Sequence, residues 1–315
     1  MTARLRAALT IAALGCAGCR AQHRPTVGEA WRPGTAQHAV RMGGDDRSFL
    51  LHVPRERPRS VFGLARAYPL VILLHGSGAS GETVREQSRM DALADARRFL
   101  VAYPDGSHGV LGIGSDWNAG TCCGAAARSG VDDVAFIRTM IATIAQHLPV
   151  DTRRVYVAGF SDGGRMAYHF ACASAASVAA IGVVSGSLVD DHCAPTRPVP
   201  LIAFHGTGDD DVPYDDEART TPAAPPIAAS AGLPPSVRFW SVVDRCSGIS
   251  VTRLSAHVTR AAFAPCAADV VLFTIDSGRH AWPGGVADGP SGDPPTPEIQ
   301  ASDRLVRFFF RHAER

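Results

Sequence analysis

Apolar runs alternate with amphipathic stretches along most of this chain, and that alternation restricts the fold more than any other feature. Continuous apolar runs such as Leu70–His75 are typical of strands that are buried on both faces of a sheet. Between two such runs, Asp132–His147 places apolar residues at three- and four-residue steps, which predicts an amphipathic helix. Strands that alternate with helices predict a mostly parallel sheet covered by helices on both faces.

Seven strands and four helices follow from these patterns. The predicted strands are Ser48–Val53, Leu70–His75, Leu100–Tyr103, Val155–Phe160, Ala180–Val184, Leu201–His205 and Val270–Ile275. The predicted helices are Glu82–Phe99, Asp132–His147, Arg165–Ala173 and a last helix that opens with Thr296 as N-cap and Pro297 at its first position. Residues 214–235 break the alternation with a Pro- and Ala-rich segment. This segment is either a loop that shapes access to a site or a surface insertion without a role.

Length and charge limit the classes of protein to consider. The chain has 315 residues, of which 46% are hydrophobic, so it can bury a full core as one α/β domain. Its formal net charge is +1, whereas nucleic-acid binding asks for a concentrated basic face. We therefore expect no nucleic-acid partner. The expected division is a signal peptide over residues 1–19, a loose lead-in over 20–45 and a single α/β domain over 46–315.

The first residues have the pattern of a secretory signal. Arg4 and Arg6 precede the apolar run Ala7–Leu14, and small residues continue to Cys19. The run is shorter than the roughly 20 apolar residues that span a bilayer. Ala17-Gly18-Cys19 also resembles the end of a bacterial lipoprotein signal, although Cys16 stands where leucine is usual. The sequence predicts a secreted or periplasmic protein, and it leaves open a lipid anchor through Cys19.

Export changes how the other cysteines are interpreted. In an oxidising compartment, disulfides are the default state of such residues. Cys246 and Cys266 bracket a short polar excursion before a strand and form the first predicted pair; Cys172 and Cys193 form the second. The adjacent Cys122 and Cys123 are either bonded to each other or free. A zinc site is the rival explanation, but no paired CxxC spacing supports it, so no metal is predicted.

The segment Gly159-Phe160-Ser161-Asp162-Gly163 is a GxSxG motif between a strand-like run and a helical pattern. In that context the motif forms a sharp strand-to-helix turn that exposes the serine, and glycines avoid collisions with the neighbouring strand and helix. The alternative is a structural turn without chemistry. The flanking patterns favour Ser161 as a nucleophile.

A serine hydroxyl needs a base to accept its proton, and in such chains the partners follow in the order serine, acid, histidine. His280 lies on a turn-rich loop just after Val270–Ile275, which is the expected place for the base. His205 falls inside an apolar strand and is expected to be a core histidine. His312 lies in the terminal helix and is expected to be solvated.

The acid is expected on the loop after Leu201–His205, where Asp209, Asp210 and Asp211 follow one another. Its role is to hold the imidazole in its working tautomer and to stabilise the imidazolium. Spacing alone does not separate the three aspartates. A calcium site is the functional rival for this cluster, because hard cations bind several oxygen ligands.

When a serine attacks a carbonyl carbon, the carbonyl oxygen gains negative charge and becomes an oxyanion. Two backbone N–H groups directed at this oxygen are needed to stabilise it. The residue after the nucleophile, Asp162, supplies the first predicted donor. His75-Gly76-Ser77-Gly78 follows an earlier strand, and Ser77 is the predicted second donor. The alternative for this segment is a glycine-rich turn without a catalytic role.

Together these residues resemble secreted esterases that group polyhydroxybutyrate depolymerases with feruloyl and acetylxylan esterases. The resemblance covers roughly residues 48–312, and its alignment puts the acid at Asp209. Arg279 and Ala281 stand where glycine and a hydroxyl residue are frequent. The similar segments are Pro69–Gly76, Trp117–Gly124 with Val131–Val134, Gly159–Gly164, His205–Thr207 with Val212–Tyr214, and Gly278–Gly285.

The resemblance implies an α/β-hydrolase fold and a serine esterase that works through an acyl-enzyme without a cofactor. The expected substrate is an ester, either small or polymer-derived. Polyester, feruloyl-polysaccharide, acetylated xylan and small soluble esters all stay open, although the lack of a recognisable polymer-binding module favours short or soluble ones. Trp117 and Trp282 are candidates for an aromatic wall of the substrate pocket, or else pack in loops.

Two kinds of rival function remain at this stage. A peptidase or thioesterase of the same fold would use the same triad. An exported binding module or envelope lipoprotein with a vestigial site would not need Ser161, Asp209 and His280 together.

Overall fold

The computed structural model describes residues 31–58, 66–108, 115–215, 232–287, 289 and 292–313. The predicted signal over residues 1–19, with Cys19, lies outside this range, as do residues 216–231 of the segment 214–235. Both stay predictions. None of the helices in the described part of the chain combines the length and the apolar character needed to cross a membrane.

Ten strands of the described residues form one mixed sheet. Its order is β1-β2-β4-β3-β7-β8-β9-β12-β11-β10, and the six strands from β4 to β12 in this order pair in parallel. Antiparallel pairs extend the sheet at both edges. The ten strands are β1 (Gly34–Met42), β2 (Asp45–Val53), β3 (Tyr68–Leu74), β4 (Leu100–Pro104), β7 (Val150–Phe160), β8 (Ala180–Val184), β9 (Leu201–Gly206), β10 (Ile249–Arg253), β11 (Val258–Phe263) and β12 (Val270–Ile275). A separate small hairpin joins β5 (Ser107–His108) to β6 (Ser115–Asp116).

Helices cover both faces of the sheet, as the alternation predicted. Alternate side chains of β3 point to opposite faces, so Ile72 belongs to one buried cluster and Val71 to the other. Helices α4, α5 and α6 pack on the first face, and α1, α2 and α7 pack on the second. The described helices are α1 (Gly81–Ser88), α2 (Met90–Arg97), α3 (Gly124–Arg128), α4 (Asp133–His147), α5 (Asp162–Ser174), α6 (Pro235–Val243) and α7 (Ala301–Phe309).

Three strands of the sheet were missed by the sequence patterns. β1 falls within the expected loose lead-in, so the boundary expected at residue 46 is wrong and lies inside the sheet. Along β1 only Val40 is buried, and β10 is exposed over most of its length. Edge strands of this kind lack the continuous apolar run that marks a central strand. Their partners in the sheet, not their own sequences, make them strands.

Two helix predictions need correction. The single helix expected over Glu82–Phe99 is two helices, because Arg89 adopts a φ of 52° and breaks the run between α1 and α2. The last helix does not begin at Thr296. Its N-cap is Gln300, and the carbonyl of Thr296 instead accepts a hydrogen bond from the N–H of Gly284 (2.8 Å).

Three disulfides lie in the described residues. Cys246–Cys266 joins the end of α6 to the turn between β11 and β12, and Cys172–Cys193 joins α5 to the loop after β8. Cys122 is bonded to its neighbour Cys123. The first two hold elements that are about twenty residues apart in the chain, so they restrict the unfolded chain more than the vicinal pair does.

Removing the Cys246–Cys266 cross-link is expected to lower the free energy of unfolding by about 3 kcal/mol, because the unfolded chain regains loop entropy. The double variant Cys246→Ser/Cys266→Ser tests this in urea denaturation. Ser247→Ala, at an exposed position beside the bond, is the control and should stay within about 0.5 kcal/mol of the wild type. An unchanged midpoint in the double variant would contradict the expectation.

Asp244, which follows α6, is a fully buried carboxyl group. Its Oδ1 accepts a hydrogen bond from the N–H of Val199 (3.0 Å), whereas its Oδ2 has no hydrogen-bond partner among the described residues. Burial raises the pKa of Asp244 to about 8, against smaller opposing effects of the Val199 hydrogen bond and the charge of Arg197. The folded protein therefore holds a proton here that the unfolded chain releases near pH 4.

A carboxyl group whose pKa is raised on folding contributes stability at low pH and loses it as the pH rises from about 4 to about 8. Asp244→Asn cannot ionise, so its free energy of unfolding should not fall in this range as that of the wild type does. The difference between the variant and the wild type should therefore grow by about 1–3 kcal/mol, in favour of the variant, as the pH rises from about 5 to about 9. Urea denaturation across this range measures the difference. Asp46→Asn, an exposed aspartate, is the control and should track the wild type. A constant gap between Asp244→Asn and wild type would count against the buried, protonated carboxyl.

Candidate active site

Ser161 lies at the junction of β7 and α5 in a strained backbone conformation. Its φ is 55° and its ψ is −119°, a region that residues other than glycine rarely adopt. Two neighbouring glycines make the turn possible. A Cβ on Gly159 would overlap the backbone of Gly163, and a Cβ on Gly163 would overlap the carbonyl oxygen of Leu74 at the end of β3. The glycines of the motif are therefore required by close backbone packing.

The predicted acid and base meet across the carboxyl end of the sheet. His280 Nδ1 lies 2.9 Å from Asp209 Oδ2 and 3.0 Å from Oδ1. The carboxylate also accepts hydrogen bonds at Oδ1 from the backbone N–H groups of Asp211 (3.1 Å) and Val212 (2.9 Å). A carboxylate only accepts hydrogen bonds, which assigns the imidazole proton to Nδ1 and leaves Nε2 with its lone pair.

The electrostatics of Asp209 favour its ionised form. Burial by itself raises the pKa of this carboxyl, but hydrogen bonds from His280 and Val212 outweigh burial, so its net pKa is below the ordinary value. The side chain is fully shielded from solvent. Asp209 can therefore hold and orient the imidazole at neutral pH.

The other two aspartates of the loop have different surroundings. Asp210 is exposed and forms an ion pair with Arg279 (2.8 Å). Asp211 lines the cavity that contains Ser161 and reaches Asp209 through its backbone N–H. The three candidates that spacing left equal are thus distinguished by geometry, and Asp209 is the one that contacts His280. His205 is buried, with its Nε2 2.7 Å from the carbonyl oxygen of Val212.

Ser161 and His280 line the same cavity, which has a volume of about 440 Å³. The ring of His280 packs 4.7 Å, centroid to centroid, from the ring of Phe160. The described residues show no hydrogen bond between Ser161 Oγ and His280 Nε2. Hydrogen bonds of this kind commonly tighten only in the complex with substrate. The remaining wall is formed by Gly76, Ser77, Asp162, Arg165, Asp211 and Val212.

The loop that carries Ser77 is held by a buried histidine. His75 Nδ1 lies 2.7 Å from the carbonyl oxygen of Gly76, and Nε2 accepts a hydrogen bond from the N–H of Gly106 (2.9 Å). A Cβ on Gly76 would lie 3.4 Å from Ser161 Cβ, so the backbone of this loop runs directly beside the serine. The hydroxyl of Ser77 donates to Asp116 (3.0 Å).

Asp162 begins α5, and its buried carboxylate pairs with Arg165, one turn later, at 2.7 Å. Burial raises the pKa of Asp162, opposed by the charge of Arg165. The same guanidinium nitrogen lies 3.6 Å from Cys122 Sγ and 3.8 Å from Cys123 Sγ. Among the described residues, Cys122, Cys123 and Asp162 are close enough to resemble a metal site. The two sulfurs are bonded to each other, however, so they are not thiolate ligands.

Sequence reasoning missed three residues that shape the site: Asp116, Arg165 and Asp293. Asp293 accepts hydrogen bonds from the backbone N–H of His280 (3.2 Å) and from Arg279 Nε (2.8 Å). Arg279 also pairs with Asp210, so it clamps the histidine loop between two carboxylates. The only signal for this clamp was Arg279 itself, which stands where glycine is frequent in the resembling family.

Trp117 and Trp282 do not form a wall of the cavity. The prediction of an aromatic wall is therefore wrong, and the alternative, that both pack in loops, describes them. Trp117 and Trp282 are both fully buried and lie behind the loops. The indole N–H of Trp117 donates to the carbonyl oxygen of His75 (3.0 Å), and that of Trp282 donates to Ser302 Oγ (3.0 Å). A buried indole needs such a partner, so each ring supports a loop from the protein interior.

Residues 61–230 of the chain match the family model described as Esterase PHB depolymerase. The chain belongs to this family. The Esterase PHB depolymerase family is one of ester hydrolases, and the nucleophile turn lies inside the matched residues. Asp209 is inside the match and His280 lies beyond it, so the pairing of these two side chains is an observation of the structure alone.

Relatives with curated names agree with this assignment. Feruloyl esterase B of Piromyces equi is 34% identical over 191 residues, which are 58% of this chain and 34% of that protein. Feruloyl esterase C of Emericella nidulans is 25% identical over 253 residues, which are 78% of this chain and 81% of that protein. The chain thus spans about a third of the first relative and most of the second.

A solved structure shows the same fold. The acetyl xylan esterase from Aspergillus awamori superimposes with a TM-score of 0.61 at 15% sequence identity, covering 87% of this chain and 99% of that one. At this identity the likeness concerns the fold alone. The mostly parallel sheet with helices on both faces is the α/β-hydrolase fold expected from the sequence.

The backbone packing at Gly163 leads to a test of the turn. Gly163→Ala should destabilise the protein by about 1–3 kcal/mol or more, because the added methyl overlaps the carbonyl oxygen of Leu74. Gly208→Ala is the control, since its Cβ would meet nothing nearer than 3.4 Å. Urea denaturation of both variants measures the effect. Equal stability of the two would show that the turn tolerates a side chain.

Proposed function

We propose that the protein hydrolyses carboxylic esters through an acyl-enzyme on Ser161, with His280 as general base and Asp209 as its acid partner. The hydrogen bond between Asp209 and His280 Nδ1, at the edge of the cavity that contains Ser161, carries this proposal. Family membership supports the reaction class. The strained turn supports the choice of serine, because strain of this kind is typical of functional sites.

In the first step, Ser161 Oγ attacks the ester carbonyl carbon while its proton passes to His280 Nε2. The imidazolium that forms is stabilised by the carboxylate of Asp209, which stays ionised because its pKa is low. The alcohol then leaves with the proton from His280 Nε2. The products of this step are the free alcohol and an acyl ester of Ser161.

The carbonyl oxygen gains negative charge in this step, and two backbone N–H groups are proposed to bind it. Asp162 follows the nucleophile at the start of α5, where the helix dipole also favours an anion. Ser77 belongs to the loop that runs beside Ser161. Removal of one such donor typically costs about 100- to 1000-fold in rate.

In the second step, water attacks the acyl-enzyme and gives its proton to His280. The tetrahedral intermediate then collapses, Ser161 regains its proton and the carboxylic acid is released. Bond making and proton transfer are both accounted for by these three side chains and water. The proposed reaction uses no cofactor.

The cavity suggests what kind of ester fits. Its volume of about 440 Å³ is within the range for a small molecule. Arg165, Asp211 and Ser77 make much of the wall polar, whereas Phe160 and Val212 supply a limited apolar surface. We propose small esters with a short acyl group on a polar alcohol, in keeping with the relative named as a bifunctional acetylxylan esterase/xylanase.

Export is part of the proposal. Three disulfides in the described residues suit an oxidising compartment outside the cytoplasm.

The triad is tested by four substitutions assayed on p-nitrophenyl acetate. Ser161→Ala and His280→Ala should each lower kcat at least about 1000-fold, and Asp209→Asn should lower it about 100-fold or more. Asp211→Asn, an aspartate in the same loop, is the matched control and should lose less than about tenfold. Circular dichroism checks that each variant folds. Greater damage from Asp211→Asn than from Asp209→Asn would refute the assignment of the acid.

Substrate preference is tested on the purified protein with p-nitrophenyl acetate, butyrate and octanoate beside methyl ferulate. We expect faster turnover of acetate and butyrate than of octanoate, because the polar wall offers little apolar surface to a long chain. A serine-directed phosphonate should block turnover and label Ser161. Absence of both turnover and label would favour a binding module with a vestigial site.

A further inference from the structure

A second cavity, of about 240 Å³, lies between α7 and the strands β9, β11 and β12. Its floor is apolar, formed by four side chains that are almost completely buried in the protein: Ile202, Val271, Phe273 and Phe308. The cavity shares no lining residue with the one that contains Ser161. We call it the arginine groove because its remaining lining residues are all arginines.

Four arginines surround the apolar floor: Arg260 on β11, Arg304 and Arg307 on α7, and Arg311 just after α7. The guanidinium of Arg304 lies 5.8 Å from the ring centroid of Phe273, and that of Arg311 lies 5.6 Å from the ring centroid of Phe308. A guanidinium held over an aromatic face keeps its N–H groups available at its edge. The groove therefore combines an apolar base with several hydrogen-bond donors.

The positive charge of the groove is largely uncompensated. Arg307 pairs with Asp303 at 2.6 Å. Within the described ranges, no carboxylate lies at ion-pair distance from Arg260, Arg304 or Arg311. The nearby Asp269 is 3.1 Å from His312.

This local excess is not a property of the whole chain. The sequence has 31 basic and 30 acidic residues, so four arginines around one cavity are a concentration and not a background. Like charges held this close repel one another, and the repulsion is relieved when an anion binds between them. Arginine is also the side chain whose planar fork matches a carboxylate in two parallel hydrogen bonds.

We propose that the arginine groove binds a small monocarboxylate that carries a short apolar chain. Arg260 and Arg304 hold the carboxylate, and the chain lies on Phe273 and Val271. The volume is below the usual range for drug-sized ligands, which restricts the occupant to a small molecule. Since the groove and the Ser161 cavity have separate walls, this binding does not depend on ester hydrolysis.

Isothermal titration of the full chain with hexanoate tests the proposal, with hexanamide and acetate as comparison ligands. Hexanamide keeps the chain and lacks the charge, whereas acetate keeps the charge and lacks the chain. Hexanoate should bind with one site per chain, and each comparison ligand should bind at least tenfold more weakly, about 1.4 kcal/mol. Equal binding of hexanoate and hexanamide would overturn the role of the arginines.

Substitutions locate the site. Arg260→Gln/Arg304→Gln should weaken hexanoate binding at least about tenfold. Arg128→Gln/Arg138→Gln removes the same charge from exposed positions on α3 and α4 and should leave binding unchanged. Equal loss in both double variants would show a general charge effect and overturn the proposal. Labelling of Ser161 with a phosphonate should leave hexanoate binding intact.

Hydrogen exchange of the wild-type protein gives a readout that does not depend on the folding of any variant. Hexanoate should slow exchange in residues 258–263 and 301–311. Protection confined to residues 206–212 and 278–282 would place the acid in the Ser161 cavity and overturn the proposal. Vesicles of phosphatidylglycerol separate a free acid from a lipid headgroup: vesicle binding that needs Arg260 and Arg304, without hexanoate binding, would also overturn it.

Discussion

The contact between the backbone of Gly163 and the carbonyl oxygen of Leu74 is the constraint on which the site depends. It lets the first turn of α5 pack directly on the end of β3, and this close approach forces the chain to reverse sharply at Ser161. The same approach brings the loop of Gly76 and Ser77 beside the serine. The parallel pairing of β3 with β7 holds the two ends in register. A single steric requirement thus positions both Ser161, the proposed nucleophile, and one side of the proposed oxyanion site.

A second backbone contact positions Asp209 and His280, the proposed acid and base. A Cβ on Gly206 would overlap the carbonyl oxygen of Gly278, so the loops after β9 and β12 lie in direct contact. The N–H of Gly208 donates to that same carbonyl oxygen (2.9 Å), which fixes the two loops to each other. Asp209 and His280 project from these loops and meet. Arg279 and Asp293 hold the histidine loop from its outer side.

The antiparallel additions at the sheet edges serve a different purpose. β11 and β10 extend the sheet beyond β12, away from the nucleophile. This extension leaves a space beside α7, and arginines from both elements line it. The parallel core therefore carries the ester-hydrolase chemistry, and the antiparallel edge forms the surface on which the proposed carboxylate site lies. The two sites rest on different parts of one sheet.

The sequence by itself determined the central strands, the glycine turn at Ser161 and the order of the proposed triad residues. Buried parallel strands appear in the sequence as continuous apolar runs. The glycines around Ser161 are required by close packing of the local backbone. Both features can therefore be recognised from the order of the residues alone. The edge strands β1 and β10 were not visible, because exposed strands take their conformation from their neighbours. β11, which pairs with β10 and β12, was also missed, because its buried residues do not form a continuous apolar run. Spacing also left Asp209, Asp210 and Asp211 equal, since all three fit the same loop.

Spacing did not decide which carboxylate faces His280; the family resemblance implied Asp209, and the structure shows Asp209 in contact with His280. Only the tertiary structure decided that Trp117 and Trp282 lie behind the site, and that Asp293 and Arg165 take part in shaping it. The arginine groove likewise joins Arg260 to residues of α7 that are more than forty positions away. Contacts of this kind depend on where the sheet places the ends of distant segments. Local sequence patterns indicate whether a segment is buried and where it turns. They do not indicate which other segment will lie next to it.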